Sequence, residues 1–325
     1  MHRSRRSLLK ASVGGLVAMS SLARADTSFP TRPVTLVVPF APGGNIDIVG
    51  RTIAEPLGKI LGQPVVVDNR AGGSGSIGAS VVARAQPDGY TLMIGTAGQI
   101  VTLPQMFKTP YTALNFKPLG LVSKTSIAAI TRKADTRFRS MNDLVAFAKA
   151  NPGKLNGGHA GAGTPNHLGL LQLENALGIS ISMVPYKGMG PALIDLLSGQ
   201  IDIVADQVSS SMPHLKAGNL HALAMLSPQR DAAFPEVPTL GELGLGSFDM
   251  TTYAGILAPN GLPASVSMKL TEAIRNAVAD QRFGAKLQDL GVFPATGTPE
   301  QFAQIIQGEG TFTARLVAEG RLKAD

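Results

Sequence analysis

Residues 33–60 constrain the fold most. Pro33 to Phe40 (PVTLVVPF) is a nearly unbroken apolar run, rich in β-branched side chains and bounded by prolines. That is the pattern of a strand buried on both faces. Ala41 to Asn45 is a turn with two adjacent glycines, and from Ile46 the apolar positions Ile46, Val49, Ile53, Leu57 and Ile60 recur at helical spacing. A strand buried on both faces that feeds an amphipathic helix belongs to a parallel set, with helices covering the sheet on either side.

The same alternation continues along the chain. Pro64 to Val67 and Tyr90 to Gly95 read as strands flanking a helix at Ile77 to Ala85. Leu119 to Ile130 is strand-like. Strands at Leu155 to Ala160, Ile181 to Val184 and Ile201 to Ala205 then alternate with helices at Pro165 to Leu177 and Gly190 to Ser198. Met141 to Ala150 is amphipathic. His221 to Leu226 and Tyr253 to Ala258 read as further strands, and Pro263 to Ala279 and Pro299 to Glu319 as terminal helices. The fold class is α/β, with more than one βα set in the 325 residues.

Composition removes several function classes. The chain has no cysteine, which excludes disulfide scaffolds, thiolate metal sites and a catalytic thiol. Its net charge of +7 is unevenly placed, because residues 1–25 hold five of the 29 basic residues and none of the 22 acids. What remains is close to neutral, and aromatics are only 5%, so the basic face with stacking rings that nucleic acid requires is missing. Residues 1–25 read as an export signal: a basic start containing Arg5-Arg6, a weakly apolar stretch from Ala11 to Ala23, then Ala23-Arg24-Ala25 before Asp26. The twin arginines favour the twin-arginine route, with an ordinary secretory signal as the alternative. No run is long enough to span a bilayer. The expected location is the periplasm.

Three segments carry chemistry. In Phe40-Ala41-Pro42-Gly43-Gly44-Asn45-Ile46-Asp47 a buried strand meets a helix N-terminus, whose first amides lack intrahelical acceptors and favour an anion. Phe40 offers an apolar wall, Asn45 a cap, and Asp47 a charge in the first turn. The alternative is a plain βα turn. Gly161-Ala162-Gly163-Thr164-Pro165-Asn166-His167 repeats the logic, with Thr164 as N-cap and Pro165 in the first helical position. Arg70 to Gly78 contains G-x-G-x-x-G at Gly73, Gly75 and Gly78, but no acid follows at the end of the next strand, which argues against a dinucleotide. No cofactor is expected. Nucleophile elbows, phosphate loops and zinc-helix motifs are absent, as are paired histidines at metal spacing. Asp202 begins a strand and reads as solvated. Asp206 ends the strand Ile201 to Ala205, where a carboxylate either meets a ligand or braces a loop.

Taken in order, the segments VTLVVPFAPGG, GQPVVVDNRAGGSGSIGA, PDGYTL, NPGKLN, GAGTPNHL, VPYKG, LLSGQID and PEVPT resemble the substrate-binding proteins of tripartite tricarboxylate transporters, the Bug receptors. The resemblance covers essentially the whole chain after the signal. It implies a type II periplasmic binding protein with two mostly parallel α/β lobes, 26–124 plus 254–325 and 125–253. Its function would be to bind a small organic carboxylate in the cleft between them. It implies backbone amides of the two glycine loops as the grip, Thr96 and Ala97 as a further cleft segment, and Asp206 as a cleft acid. It also implies a monomer that works with a two-component membrane carrier. A sensory binding protein and, less well supported, an exported enzyme for carboxylates or esters are the alternatives. Gln207 and Val208, and Asn156 to His159, depart from the family pattern near the cleft, so ligand identity does not carry over.

Overall fold

The computed structural model describes residues 29–246 and 249–322. The export signal and the boundary at Ala25-Asp26 lie outside them. Among the described residues, eleven strands form two sheets. The strands β1 (Val34–Val38), β2 (Val65–Asn69), β3 (Thr91–Gly95), β4 (Phe116–Thr125), β10 (Thr252–Pro259) and β11 (Val292–Pro294) make a six-stranded sheet in the order β11-β4-β10-β3-β1-β2. The strands β5 (Ile127–Arg132), β6 (Leu155–His159), β7 (Ile181–Pro185), β8 (Ile203–Gln207) and β9 (Leu220–Met225) make a five-stranded sheet in the order β7-β6-β8-β5-β9.

Helices α1 (Asn45–Leu61), α2 (Ser76–Ala83) and α3 (Leu103–Met106) lie between strands of the first sheet. Helices α8 (Ala264–Val278), α9 (Gln281–Gln288) and α10 (Pro299–Ala318) follow β10. Helices α4 (Met141–Ala150), α5 (Pro165–Leu177), α6 (Met189–Ser198) and α7 (Val208–Lys216) belong to the stretch that forms the second sheet. Helix α1 buries Ile46, Val49, Ile53 and Leu57 of the stripe read from the sequence, while Ile60 is exposed and Leu61 is buried in its place. Each such side chain contributes about 1.5–3 kcal/mol relative to exposure.

The sheets are mixed rather than mostly parallel. The βαβ units give parallel pairs, β1 with β2 and β3, and β6 with β7 and β8. The strands that carry the chain between sheets pair antiparallel: β10 with β3 and β4, and β5 with β8 and β9. They return from the opposite direction, so a parallel pairing is not open to them. The chain changes sheet within two residues, between Thr125 and Ile127, and again between Met225 and Thr252.

This topology fixes where a ligand can sit. Strand β1 is followed by β2 on one side, and the chain then crosses to place β3 on the other. Strand β6 is followed by β7 and then β8 in the same way. Each sheet therefore has a switch point, and a crevice opens beyond the C-terminal ends of its central strands. The loops after β1, β3, β6 and β7 and the direct junction of β8 with α7 meet there.

Candidate functional site

The loop after β1 is held by Asp47. Its carboxylate accepts from the Gly43 amide at 3.0 Å, from Asn69 Nδ2 at 2.8 Å and from Arg51 Nε at 3.0 and 3.1 Å. Asn69 Nδ2 also donates to the Phe40 carbonyl at 3.0 Å. Gly43 sits at φ +89°, which an L side chain adopts only with strain. Gly44, not Asn45, is the N-cap of α1, with extended backbone and no side-chain cap. Asn45 is the first helical residue, and its side chain points into the interface, where Oδ1 accepts from Ser209 Oγ at 2.7 Å. Its Nδ2 is buried with no partner. Among the described residues no backbone acceptor meets the amides of Gly44, Asn45, Ile46 and Asp47.

The loop after β3 contributes a residue that sequence reasoning missed. Gln99 Oε1 accepts from the Thr96 amide at 2.9 Å and from Thr96 Oγ1 at 3.2 Å. A backbone N–H only donates, so this contact fixes which end of the Gln99 amide faces Thr96. Gln99 Nε2 is left buried without a partner. Gly75 makes room for it: a Cβ there would lie 2.7 Å from Gln99 Cγ. Gly78 likewise lets α2 approach Pro39, where a Cβ would lie 2.7 Å from the Cα. The glycines of the G-x-G-x-x-G stretch thus pack the site from behind. The only signal for Gln99 was its place just beyond the cleft segment Thr96-Ala97.

The loop after β6 is turned in on itself. The Gly161 amide donates to His159 Nδ1 at 3.2 Å, and the Gly163 amide to His167 Nδ1 at 3.2 Å. Thr164 caps α5 as expected: its hydroxyl donates to the Gly161 carbonyl at 2.6 Å and accepts from the His167 amide at 3.4 Å. The two imidazoles stack with centroids 4.6 Å apart. Burial, and then the neighbouring His159, push the His167 pKa down to about 4. His167 is therefore neutral at pH 7, with its proton on Nε2.

Near the C-terminal end of β8, which runs directly into α7, Asp206 is fully buried. Its Oδ2 accepts from Ser210 and Ser211 Oγ, both at 2.7 Å, and its Oδ1 from Asn166 Nδ2 at 3.2 Å. Burial pushes its pKa up to about 6 against these hydrogen bonds. Asn166 Nδ2 also reaches the Ala205 carbonyl at 2.9 Å and Gln207 Oε1 at 3.0 Å. Asp202 is buried, contrary to its reading as solvated. It accepts from Arg137 at 2.6 Å and from the Asn156 amide at 2.8 Å, which ties β8 to β6.

These segments bound a cavity of about 20 Å³ lined by Phe40, Gly44, Asn45, Ile46, Thr96, Gln99, Ala160, Thr164, Pro165, Asn166, Met189 and Gln207. That is room for about one water. The two sides touch around it. The Ala41 amide donates to the Lys187 carbonyl at 3.0 Å, and a Cβ on Gly190 would lie 2.1 Å from the Pro42 carbonyl oxygen. The cleft is closed, and a larger ligand enters only when the sides part.

Of the residues expected at the site, Phe40, Gly44, Asn45, Thr96 and Thr164 line the cavity. Ala41, Pro42 and Gly43 meet the facing side at Lys187 and Gly190. Gly161 packs on Ser74, and Gly163 on Thr102 and Met106. Ala97 joins the core of the first sheet. Asp47, His167 and Asp206 brace the loops from behind. Grooves of about 440 and 510 Å³ lie elsewhere, beside β9 and near the sheet crossings. Among the described residues there is no cluster of three metal-ligating side chains, and no helix is long and apolar enough to cross a membrane.

Two mixed sheets with crossing strands and a cleft at paired switch points define a periplasmic binding protein. Solved structures of that class superpose closely. BugD matches with a TM-score of 0.86 at 35% identity, covering 91% of this chain and 99% of its own. MatC of Rhodopseudomonas palustris with bound malate matches at 0.84 and 34%, covering 89% and 100%. An R. palustris protein with adipate matches at 0.85 and 32%, covering 89% and 97%. The family model described as the tripartite tricarboxylate transporter family receptor matches residues 49–322, and the chain belongs to that family of solute-binding receptors. Curated relatives include the UPF0065 protein of the tcbD–tcbE intergenic region of a Pseudomonas species, 37% identical over 99% of this chain and 96% of that protein. BugT of Bordetella pertussis is 34% identical, over 96% and 97%.

Proposed function

We propose that this receptor captures a small organic carboxylate in the cleft and presents it, closed, to a two-component membrane carrier. The observation that carries the reading is the convergence of unpaired donors on one cavity: Asn45 Nδ2, Gln99 Nε2 and the first amides of α1. An ionised carboxylate only accepts hydrogen bonds, so it is the complement of such a site. Buried donors left unpaired cost about 1–3 kcal/mol each, which a bound acceptor recovers. The malate and adipate bound by the two solved relatives support the same class.

In this reading the lobes are 26–124 with 254–325, and 125–253. They hinge where the chain changes sheet, and the ligand shifts them toward the closed form by its differential affinity. The protein works as a monomer in the periplasm after cleavage before Asp26. N-terminal sequencing of the periplasmic fraction checks that cleavage. The function is tested by thermal shifts against mono-, di- and tricarboxylates. Ligand at 100 times Kd adds about 2.7 kcal/mol, a rise of roughly 5–10 °C in Tm. A flat response across the whole panel would sink the carboxylate reading.

A further inference from the structure

The cavity's polar groups are unusual in what they lack. Asn45 and Gln99 are each more than nine-tenths buried, and each has its carbonyl end occupied, by Ser209 Oγ and by the Thr96 amide and hydroxyl. The NH2 group of each is the end without a partner. No lysine, arginine, aspartate or glutamate lines the cavity. The nearby acid, Asp206, has both oxygens taken by Ser210, Ser211 and Asn166, and it is not part of the lining.

We propose that the side-chain amides of Asn45 and Gln99 grip the ligand carboxylate directly and make the site reject the same skeleton bearing a 2-ammonium group. This rests on the carboxylate reading above. Two neutral NH2 donors satisfy an anion without bringing a second charge into the cavity. An ammonium brought there loses its hydration and finds no counter-ion, because a buried charge is tolerated only when paired. Asp206 is fully buried and outside the lining, so it could supply one only if Oδ1 were turned from Asn166 into the cavity. The first amides of α1 add donors on the same side as both side chains, so the carboxylate end of the ligand belongs to the first sheet's loops. The loop after β6 and the β8–α7 junction close over the rest of the ligand.

The test uses isothermal titration with matched pairs: propionate and alanine, succinate and aspartate, glutarate and glutamate, adipate and 2-aminoadipate. At least one plain acid binds, and its amino partner binds about 100-fold more weakly or not at all. Gln99→Glu keeps an oxygen for the Thr96 amide but replaces the donor with an acceptor. It lowers affinity for the plain acid about 100-fold at pH of about 8.5 and regains it near pH 5, where the introduced carboxyl carries a proton. Asn45→Asp does the same through the Ser209 contact, and it carries the test if the first variant fails to fold. An amino acid binding as tightly as its plain partner overturns the selectivity. Unchanged affinity in a folded Gln99→Glu or Asn45→Asp protein overturns the grip while leaving the carboxylate function standing. If no member of any pair binds the wild type, the carboxylate reading itself falls and takes this inference with it.

Discussion

The loop after β1 and the loop after β6 look alike as sequence and behave in opposite ways. Both follow a buried strand, contain two glycines and start a helix with a small polar residue. In the first, one carboxylate does the bracing: Asp47 reaches back to the Gly43 amide and is held from outside by Arg51 and Asn69. The next amides of α1 and the Asn45 side chain stay available. In the second, most of the loop's own amides are taken, Gly161 by His159, Gly163 by His167 and Thr164 by the Gly161 carbonyl, while the Thr164 hydroxyl closes the turn. A helix N-terminus is thus an anion site only where nothing local has already taken its donors. On the proposed reading, the first loop holds the ligand and the second covers it.

The comparison breaks most visibly at the contact between the two sides. Gly190→Ala puts a Cβ 2.1 Å from the Pro42 carbonyl oxygen, and only in the closed form, because the two residues belong to different sheets. The variant is expected to fold and to lose binding by about 100-fold or more, since the ligand's differential affinity for the closed form is what it removes. Titration, together with small-angle scattering to detect closure, measures this. Wild-type affinity would mean that binding does not need this contact.

The second loop has a pH signature that the first lacks. The folded His167 pKa, about 4, lies below the unfolded value of 6.5. The unfolded chain therefore binds the proton more readily, and this contribution is lost as pH falls from 6.5 toward 4. The full effect is about 3 kcal/mol. Asp206 acts with opposite sign: its raised folded pKa, about 6, gives stability that is present at low pH and lost as pH rises through about 6. Subtracting the urea-unfolding free energies of His167→Asn from those of the wild type across pH 4–8 cancels the Asp206 part and isolates the histidine slope. A pH-independent difference would remove the buried neutral imidazole from the account.

The first loop is expected to fail through its brace. Asp47→Ala leaves the Gly43 amide without its acceptor and Asn69 Nδ2 with only the Phe40 carbonyl, a loss of about 2 kcal/mol in stability together with weaker binding. Arg51→Ala removes the half-exposed cation behind it and its exposed hydrogen bond to Asn69 Oδ1, and costs under about 1 kcal/mol. Equal effects from the two would mean that the ion pair, not the loop hydrogen bonds, holds the turn. Chemical denaturation of both variants separates these cases.

Helix α5 was legible to the residue, Pro165 to Leu177, because Thr164-Pro165 starts it and Gly178 stops it. Helix α1 and the strands on either side of it were legible for the same reason: apolar period and punctuation are local. Helix α7 was not. Val208 to Lys216 holds three serines and an internal proline, and it is tied down by distant or preceding partners, Ser209 on Asn45 and Ser210 and Ser211 on Asp206. The turn Gly98–Thr102 that presents Gln99 was equally invisible, since its wide helical winding carries no sequence signature. Strand direction was over-read as mostly parallel because the crossing strands look like any other apolar run until their pairing partners are known.

By itself the sequence determined the alternation of strands and helices, the two glycine loops and the family, because each depends on residues close together in the chain or on their order. Tertiary structure decided which polar groups remain free. Asp47, His167 and Asp206 were all candidates for the ligand, and folding gave each a protein partner. Asn45 and Gln99 were left with donors and no acceptor. Hydrogen-bond satisfaction depends on how each loop turns back on itself and on partners such as Ser209, 164 residues from Asn45, and no local pattern records it.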